Sequence, residues 1–464
     1  MEVLQRTANR GSIATGAASY DIENSLKLEE DNSEYLERAT TGSGGSGLKH
    51  TISVWVKRTE LAKTSFILGF SNIGRLRFES DDKIEYQFRS GRKIETNRLF
   101  RDTSAWYHIV VVADSTLATS TDRMKLYING VRETDLLTYI PQDLNQGSPA
   151  WGNYPTYNYR IGYSGNAGEN FNGYIADAYY INEQTLDPTD FGEFDEDSGI
   201  WKPKAFTGTL GSLDNYLDFS NSSNLGEDAN GGTDLSLNNI TSADQATDTP
   251  TNNFATFNAV LPKADLREGA TRFFNHDAGE DTNLSTIAVT SGKWYAEFIS
   301  PSNISGGNGR VGVSANVSGQ ISEDVYLGSD AWNVAVTSST GSVGTNNSFS
   351  SYLGSGFSAN DLISVALDMD NKKVYFALNG TWGNSGNPAT GTNGVALPSA
   401  YEDYEWFIGV TLVLNTDTFN SIFGGYTSFS ISTPETDENG YGTFEYAPPS
   451  GYYALCTKNL AEYG

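Results

Sequence analysis

Twice in this chain a strand-like run with a tyrosine near its middle stops at Asn-Gly: "KLYING" at Lys125–Gly130 and "VYFALNG" at Val374–Gly380. A tight hairpin demands positive φ, which Gly supplies without steric cost, so each run reads as a strand that turns back on itself. A Trp-Tyr strand stands before each, "AWYHIVV" before the first and "KWYAEF" before the second. The two phrases lie some 250 residues apart, well beyond the period of roughly 20–50 residues that marks a solenoid. Two sandwiches of the same general architecture, one after the other, account for the echo.

The patterning between these landmarks agrees. In "HTISVWVKRTE", His50, Ile52, Val54 and Val56 share one face, and in "SAWYHIVVVAD" Trp106, His108, Val110 and Val112 share one, as period-two strands require. No segment longer than about ten residues carries helical periodicity, so helices are expected to be short and few. The fold class expected is all-β, two jelly-roll β-sandwiches in tandem. The boundaries read as an unstructured arm over 1–22, a first sandwich over 23–204, a connector over 205–265 and a second sandwich over 266–464. The connector is rich in Asn, Ser, Asp and Gly, yet "NYLDFS" within it still reads as a strand.

Thirty Lys and Arg stand against 57 Asp and Glu, a net charge of −27. Such a surface repels phosphate backbones and anionic lipid, which argues against nucleic acid or a membrane as a partner. The start, "MEVLQRTANRGS", lacks an apolar core of signal-peptide length, and no window approaches the ~20 apolar residues of a membrane helix. Both point to synthesis in a cytoplasm. Cys456 is alone, which rules out an internal disulfide framework, and its apolar setting "YYALCTKNL" suits a small buried hydrophobe.

The first half resembles the laminin-G-like, concanavalin A-like jelly rolls, through "NSLKLEEDNSEYL", "ISVWVKR", "SAWYHIVVV", "DRMKLYING", "FNGYIADAYYINEQTLDPTDFGEF" and "GIWKPK". The second half resembles SPRY domains, through "SGKWYAEF", "GRVGVS", "DLISVALDMDNKKVYFALNGTWGNSGNPATG" and "PPSGYYALCTKNL". Asp368, Asp370, Phe376, Asn379, Gly380 and Trp382 fall in one contiguous block of that second match. The tandem resembles surface proteins of tailed phages: tail-fibre, receptor-binding or capsid-decoration components. No heptad stalk or repetitive shaft accompanies it, so a decoration or short-appendage role competes with a long fibre. The resemblance implies a non-enzymatic virion structural protein, assembled in the host cytoplasm and displayed on the particle.

Candidate sites follow from residue type. Concanavalin A-like hydrolases carry paired carboxylates as E-x-D-x-E, and the nearest stretch is "EFDED", with Glu193, Asp195 and Asp197. Alternate positions share a strand face, but the final Asp and the loop-like flanks favour a solvated acidic turn. No catalytic residue is therefore assigned. The alternatives, a polysaccharide depolymerase or a bacterial adhesin or lectin, would need that pair or an export route. His50 and His108 read as core histidines, and His276 lies in an acidic loop; none has metal-site spacing. "GSGGSG" (42–47) precedes a strand rather than a helix, so it offers no phosphate cradle.

Asp218, Glu227, Asp228, Asn230 and Asp234 crowd into "DFSNSSNLGEDANGGTD". Hard oxygen ligands this dense suit calcium, although the spacing is neither that of an EF-hand nor of a β-roll. No other cofactor is implied. "SPAWGNYPTYNYR" offers Trp151, Tyr154, Tyr157 and Tyr159 as faces for a host-surface glycan. The alternative reading packs the same rings onto their own sheet or a neighbouring subunit. The arm, with Arg6 and Arg10, is the expected anchor to other virion proteins, ordering as it docks. A homo-oligomer is expected, a trimer first, because weak single contacts gain from multivalency.

Overall fold

The computed structural model describes residues 20–39, 45–70, 73–148, 151, 157–166, 168–261, 265–275, 279–301, 304, 309–317, 326–414 and 417–464. Arg6, Arg10, Tyr154 and His276 lie outside them. The chain forms two compact units, Met1–Thr251 and Asn252–Gly464.

In the first unit, two sheets face each other, each of eight strands among the described residues. Strand Lys49–Arg58 lies near the middle of one, antiparallel to Tyr107–Asp114 and to Gly173–Asn182. His50, Ile52, Val54 and Val56 are all wholly buried, as the alternation requires. On the partner strand the core is entered by Tyr107, Ile109, Val111 and Ala113. The set Trp106, His108 and Val110 therefore occupies the outer face, where Trp55 and Trp201 stack over His108. A strand buried on both faces needs no polar alternation. The opposite sheet supplies Phe66–Phe70, Leu76, Tyr86, Phe88 and Ile161, each fully buried large side chain contributing about 1.5–3 kcal/mol.

The stretch expected as a connector is divided between the units. Asn215–Leu217 pairs with Gly173–Asn182, Ser236–Asn238 with Tyr35–Ala39, and Gln245–Ala246 with Ser25–Leu28. Leu217, Phe219, Leu225, Leu235 and Ile240 complete the first core. Charge locks the end of this segment: Lys27 Nζ lies 2.8 Å from Asp244, and Lys57 Nζ 2.6 Å from Asp248, which also accepts from Trp106 Nε1 at 3.1 Å. From Phe254 onward the side chains enter the second unit's clusters. Residues 20–22, expected within the arm, are held by the first unit as well. Tyr20 Oη donates to Asp177 at 2.9 Å, and Ile22 is buried with its carbonyl accepting from Thr251.

The second unit pairs a nine-stranded and a six-stranded sheet among the described residues. Lys293–Ile299 runs antiparallel to Leu362–Asp368, which runs antiparallel to Lys373–Leu378. Arg310–Ala315 sits between Asn333–Thr337 and Trp406–Leu412 in the other. Trp294, Phe298, Val311, Val313, Ile363, Val365, Phe376, Trp406 and Ile408 meet between them. Among the described residues the one α-helix is Thr457–Tyr463. Cys456 precedes it, wholly buried, and burial pushes its thiol up to about 12.

Candidate functional site

Among the described residues, the aromatic stretch does not present a platform. Trp151 is wholly buried, stacked on His50 at 4.6 Å and edge-on to Phe70 at 5.4 Å, with its indole N–H donating to the Gln87 carbonyl at 3.2 Å. Tyr159, on the inward phase of strand Asn158–Ile161, is equally buried and stacks on Tyr180 at 5.6 Å. Tyr157 is half-buried against the same core. The ring faces of Trp151 and Tyr159 are spent inside the sandwich, where aromatic burial is worth most.

The acidic loop is not a calcium cage. Asp218 accepts from the backbone and hydroxyl of Ser220, Glu227 from the Asn221 amide, and Asp234 from Asp228 N and the Asn224 amide. Asp228 turns inward, accepting from Tyr216 N at 3.1 Å and from Asn230 N at 3.1 Å. The carboxylates thus serve separate donors, and among the described residues no three acidic, His or Cys groups gather around one point.

Two of these candidates nevertheless come together. Asp228 and Tyr159 meet beside Arg38, whose Nη1 lies 3.9 Å from Asp228 Oδ2 and whose guanidinium carbon lies 5.8 Å from the Tyr159 ring centre. Asn215, one residue before the Asp228-bound amide of Tyr216, pairs across the sheet with Tyr180, the ring on which Tyr159 stacks. All four residues are nine-tenths buried or more, and Arg38 Nη2, Tyr159 Oη, Asp228 Oδ2 and both amide atoms of Asn215 have no hydrogen-bond partner. Burial, with Asp228 adding and Arg38 opposing, holds the Tyr159 phenol well above its ordinary range, so it stays a donor. Loop residues 229–234, exposed throughout, lie over the group, and the Thr233 carbonyl accepts from Arg38 Nη1 at 3.2 Å. Arg38 had a signal in the sequence: in "YLERA" it shares the inward phase with Leu36, where a charge is out of place. Asn215 had none beyond its strand.

"EFDED" runs from the end of strand Gly192–Phe194 into the turn of the hairpin it forms with Trp201–Pro203. Asp195 accepts from the backbone and hydroxyl of Ser198 and lies 3.2 Å from Lys202 Nζ; these hydrogen bonds hold its carboxyl down to about 2. Glu193 lies exposed, 3.5 Å from the same lysine. A carboxyl fixed in its charged form by a turn has no proton to give.

His108 is bound on both ring nitrogens. Trp201 can only donate, and its Nε1 lies 2.9 Å from Nδ1, so the ring proton is on Nε2, 2.8 Å from Ser53 Oγ. The histidine therefore donates to the serine instead of activating it, and burial pushes its pKa down to about 3. At Gly45–Gly47, the Ser46 and Gly47 amides donate to the Glu183 carboxylate, leaving no free anion cradle there.

The architecture is that of tandem all-β sandwiches. Residues 31–188 match the concanavalin A-like lectin/glucanases superfamily, and residues 293–397 match the SPRY domain. The chain thus carries a laminin-G-type, concanavalin A-like domain followed by a SPRY domain. Among solved structures, it is similar to the SPRY domain of human HERC1 at 20% identity, covering 36% of this chain and 96% of that one with a TM-score of 0.29. A human SPRY domain is 14% identical over 32% of this chain and 90% of that one, with a TM-score of 0.26. The PSpry domain of TRIM65 is 14% identical over 36% and 91%, with a TM-score of 0.28. No curated protein matches the chain.

Proposed function

We propose that this chain is a non-enzymatic attachment protein of a tailed-phage particle, whose first sandwich takes a hydroxyl-rich ligand of the host surface at Arg38, Tyr159, Asn215 and Asp228. The observation that carries the binding part is the set of buried donors and acceptors left unpaired there. Each costs roughly 1–3 kcal/mol while unsatisfied. Neighbouring hydroxyls answer that set, since one accepts from the guanidinium, amide or phenol while the next donates to the carboxylate or amide oxygen. A net-neutral pair, Arg38 with Asp228, suits a neutral ligand. Entry is through displacement of loop 229–234.

The pairing of a concanavalin A-like with a SPRY domain suits a carbohydrate- or protein-binding role. The occupied carboxylate of Asp195 and the misdirected proton of His108 favour binding without turnover. Placement on a virion rests on the resemblance of the tandem to phage surface proteins, with residues 1–19 as the docking arm.

Binding of neutral oligosaccharide fragments of host capsule or lipopolysaccharide by calorimetry tests the site. Asn215→Leu, which replaces both unpaired amide atoms by methyl groups on a branched side chain of similar shape, is expected to weaken binding at least about tenfold while keeping the fold. Unchanged affinity in that variant refutes the site, and release of reducing ends from the polysaccharide refutes the non-enzymatic reading. Purified particles that contain none of this protein refute the virion placement.

A further inference from the structure

Lys27 and Lys57 are the buried lysines among the described residues, and both are register partners of Tyr174, one on either side of it. The alternation that sends Ile52, Val54 and Val56 into the core sends Lys57 to the outer face of its sheet, where the chain around Asp248 covers it. Lys27 divides its donors between Asp244 at 2.8 Å and both oxygens of Glu34 at 2.9 and 3.1 Å, so no one carboxyl carbon is singled out. Lys57 Nζ stands closer to its acid, 2.6 Å from Asp248 Oδ2, with the two side chains 0% and 1% exposed. Aromatic rings wall the pair in. Nζ lies 5.7 Å from the Tyr174 ring centre, and Trp106 packs on that ring at 6.4 Å. The Trp106 indole N–H donates to the other carboxyl oxygen, Oδ1, at 3.1 Å. Ser25 Oγ donates to the Asp248 backbone carbonyl at 2.6 Å and fixes the residue from behind.

An amine and a carboxyl held this way are reactants as well as an ion pair. Burial pulls the Lys57 pKa down, with Asp248 the first charge opposing it. A proton passing along the Nζ–Oδ2 hydrogen bond leaves a neutral amine, which is a nucleophile, beside a neutral carboxyl, which is an electrophile. The carbon to be attacked, Cγ, is one covalent bond beyond Oδ2. As the new N–C bond forms, negative charge gathers on Oδ1, where the Trp106 N–H already points. The Cγ–Oδ2 bond then breaks and Oδ2 leaves as water. The three protons of the ammonium are accounted for, two on the water and one on the amide nitrogen, and nothing is oxidised or reduced. Between free groups in water this condensation runs backwards. Here the groups are fixed in contact, an effective concentration of roughly 10⁵–10⁸ M, and the product amide is free of the desolvation cost that a buried ion pair carries.

We propose that the folded chain joins Lys57 Nζ to Asp248 Cγ in an intramolecular amide bond, with the Trp106 indole as the oxyanion donor. The inference is independent of the ligand site and of the virion placement. The bond ties central strand Lys49–Arg58 to the far end of the first unit, across 191 residues of chain. A closed loop of that length takes conformational freedom from the unfolded chain and clamps the last strands of the unit in place.

Mass spectrometry of the full chain, denatured after folding, is expected to find it one water lighter than its sequence. Trypsin is expected to yield a branched peptide, residues 50–58 joined to residues 205–263 and left uncut at Lys57, and fragmentation to place the junction at Lys57 and Asp248. Lys57→Arg keeps the positive charge but offers no amine, so that variant is expected at full mass. Trp106→Phe keeps a ring and loses the donor. In cell-free synthesis followed over time, it is expected to form the bond at least about tenfold more slowly, with an unchanged circular dichroism spectrum. Wild-type protein that stays at full mass through prolonged incubation in the folded state overturns the proposal, whatever the variants do. So does a missing water without the branched peptide, a junction at Lys27 and Asp244 instead, or a missing water that persists in Lys57→Arg. A wild-type rate in Trp106→Phe overturns the role given to the indole.

Discussion

Glu297 illustrates how a single carboxyl can fix a long loop. It lies on the outer face of strand Lys293–Ile299, accepting from Tyr295 Oη at 2.7 Å and from the backbone amides of Glu445 and Tyr446 at 2.9 Å each. Burial pushes its pKa up to about 7. A carboxyl raised in the folded state binds its proton more tightly there than in the unfolded chain, from the ordinary glutamate value near 4.5 up to about 7. The second unit therefore loses stability as pH climbs through that window, by an amount on the order of 3 kcal/mol, and the loss levels off above about 7. Denaturant unfolding of the second unit at a series of pH values should show the decline. Glu297→Gln should flatten it, whatever offset the new amide introduces. An identical slope in the variant would assign the dependence elsewhere. The alternation in "KWYAEF" already sets Glu297 opposite Trp294 and Phe298. What covers it comes from some 150 residues later in the chain, in "GTFEYAPP", a segment with no periodicity to announce that it returns to this sheet.

At the scale of elements, the two Asn-Gly phrases are the same device built twice. Asn129 and Gly130 take φ of 49° and 76°, Asn379 and Gly380 take 48° and 77°, the doubly positive pattern of a type I′ turn that matches strand twist. Each asparagine reaches back identically, Oδ1 accepting from His108 N at 2.8 Å in one and from Leu362 N at 2.9 Å in the other. Each glycine lies under an aromatic from later in the chain: an added Cβ would meet the Trp201 ring at 2.3 Å or the Tyr446 ring at 2.7 Å. Gly130→Ala and Gly380→Ala are therefore expected to cost about 1–3 kcal/mol, from left-handed strain plus the displaced ring. In calorimetry the first should lower only the first unit's transition and the second only the other's. Equal effects on both transitions, or none, would contradict the assignment. These turns were legible because their chemistry is local, and so were the inward phases of "HTISVWVKR" and "KWYAEF". The fate of Trp151 and Tyr159 was not, since a turn-rich sequence states only that rings are present, and their direction is decided by His50, Phe70 and Tyr180 from distant strands. The meeting of Arg38 with Asp228 across some 190 residues was hidden for the same reason.

At the scale of the whole molecule, the question is where one folding unit ends. The composition shift near residue 205 suggests a sandwich complete by then, with polar chain to follow. The structure argues otherwise on energetic grounds. A chain ending at 204 loses strands Asn215–Leu217, Ser236–Asn238 and Gln245–Ala246, together with the core side chains Leu217, Phe219, Leu225, Leu235 and Ile240. It also strips Lys57 of Asp248 and Lys27 of Asp244, although both lysines are at most 1% exposed. Removing one partner of a buried pair costs about 3–5 kcal/mol, because the remaining charge has neither water nor counter-ion. Lys57 is most affected, since burial already pulls its pKa down and Asp248 is the chief group opposing that pull. Lys27 keeps Glu34 at 2.9 Å, so it is the loss at Lys57 together with the five core side chains that reaches the stability of an ordinary domain, about 5–15 kcal/mol. A fragment of residues 1–251 is thus expected to unfold in a single cooperative transition, and a fragment of residues 1–204 to be unfolded or aggregated. Asp248→Asn in the longer fragment, which keeps the shape and removes the charge, should lower its stability by a few kcal/mol, on the scale of one buried pair. A soluble 1–204 fragment melting cooperatively near the temperature of the longer one would show that the polar tail decorates this sandwich without holding it together.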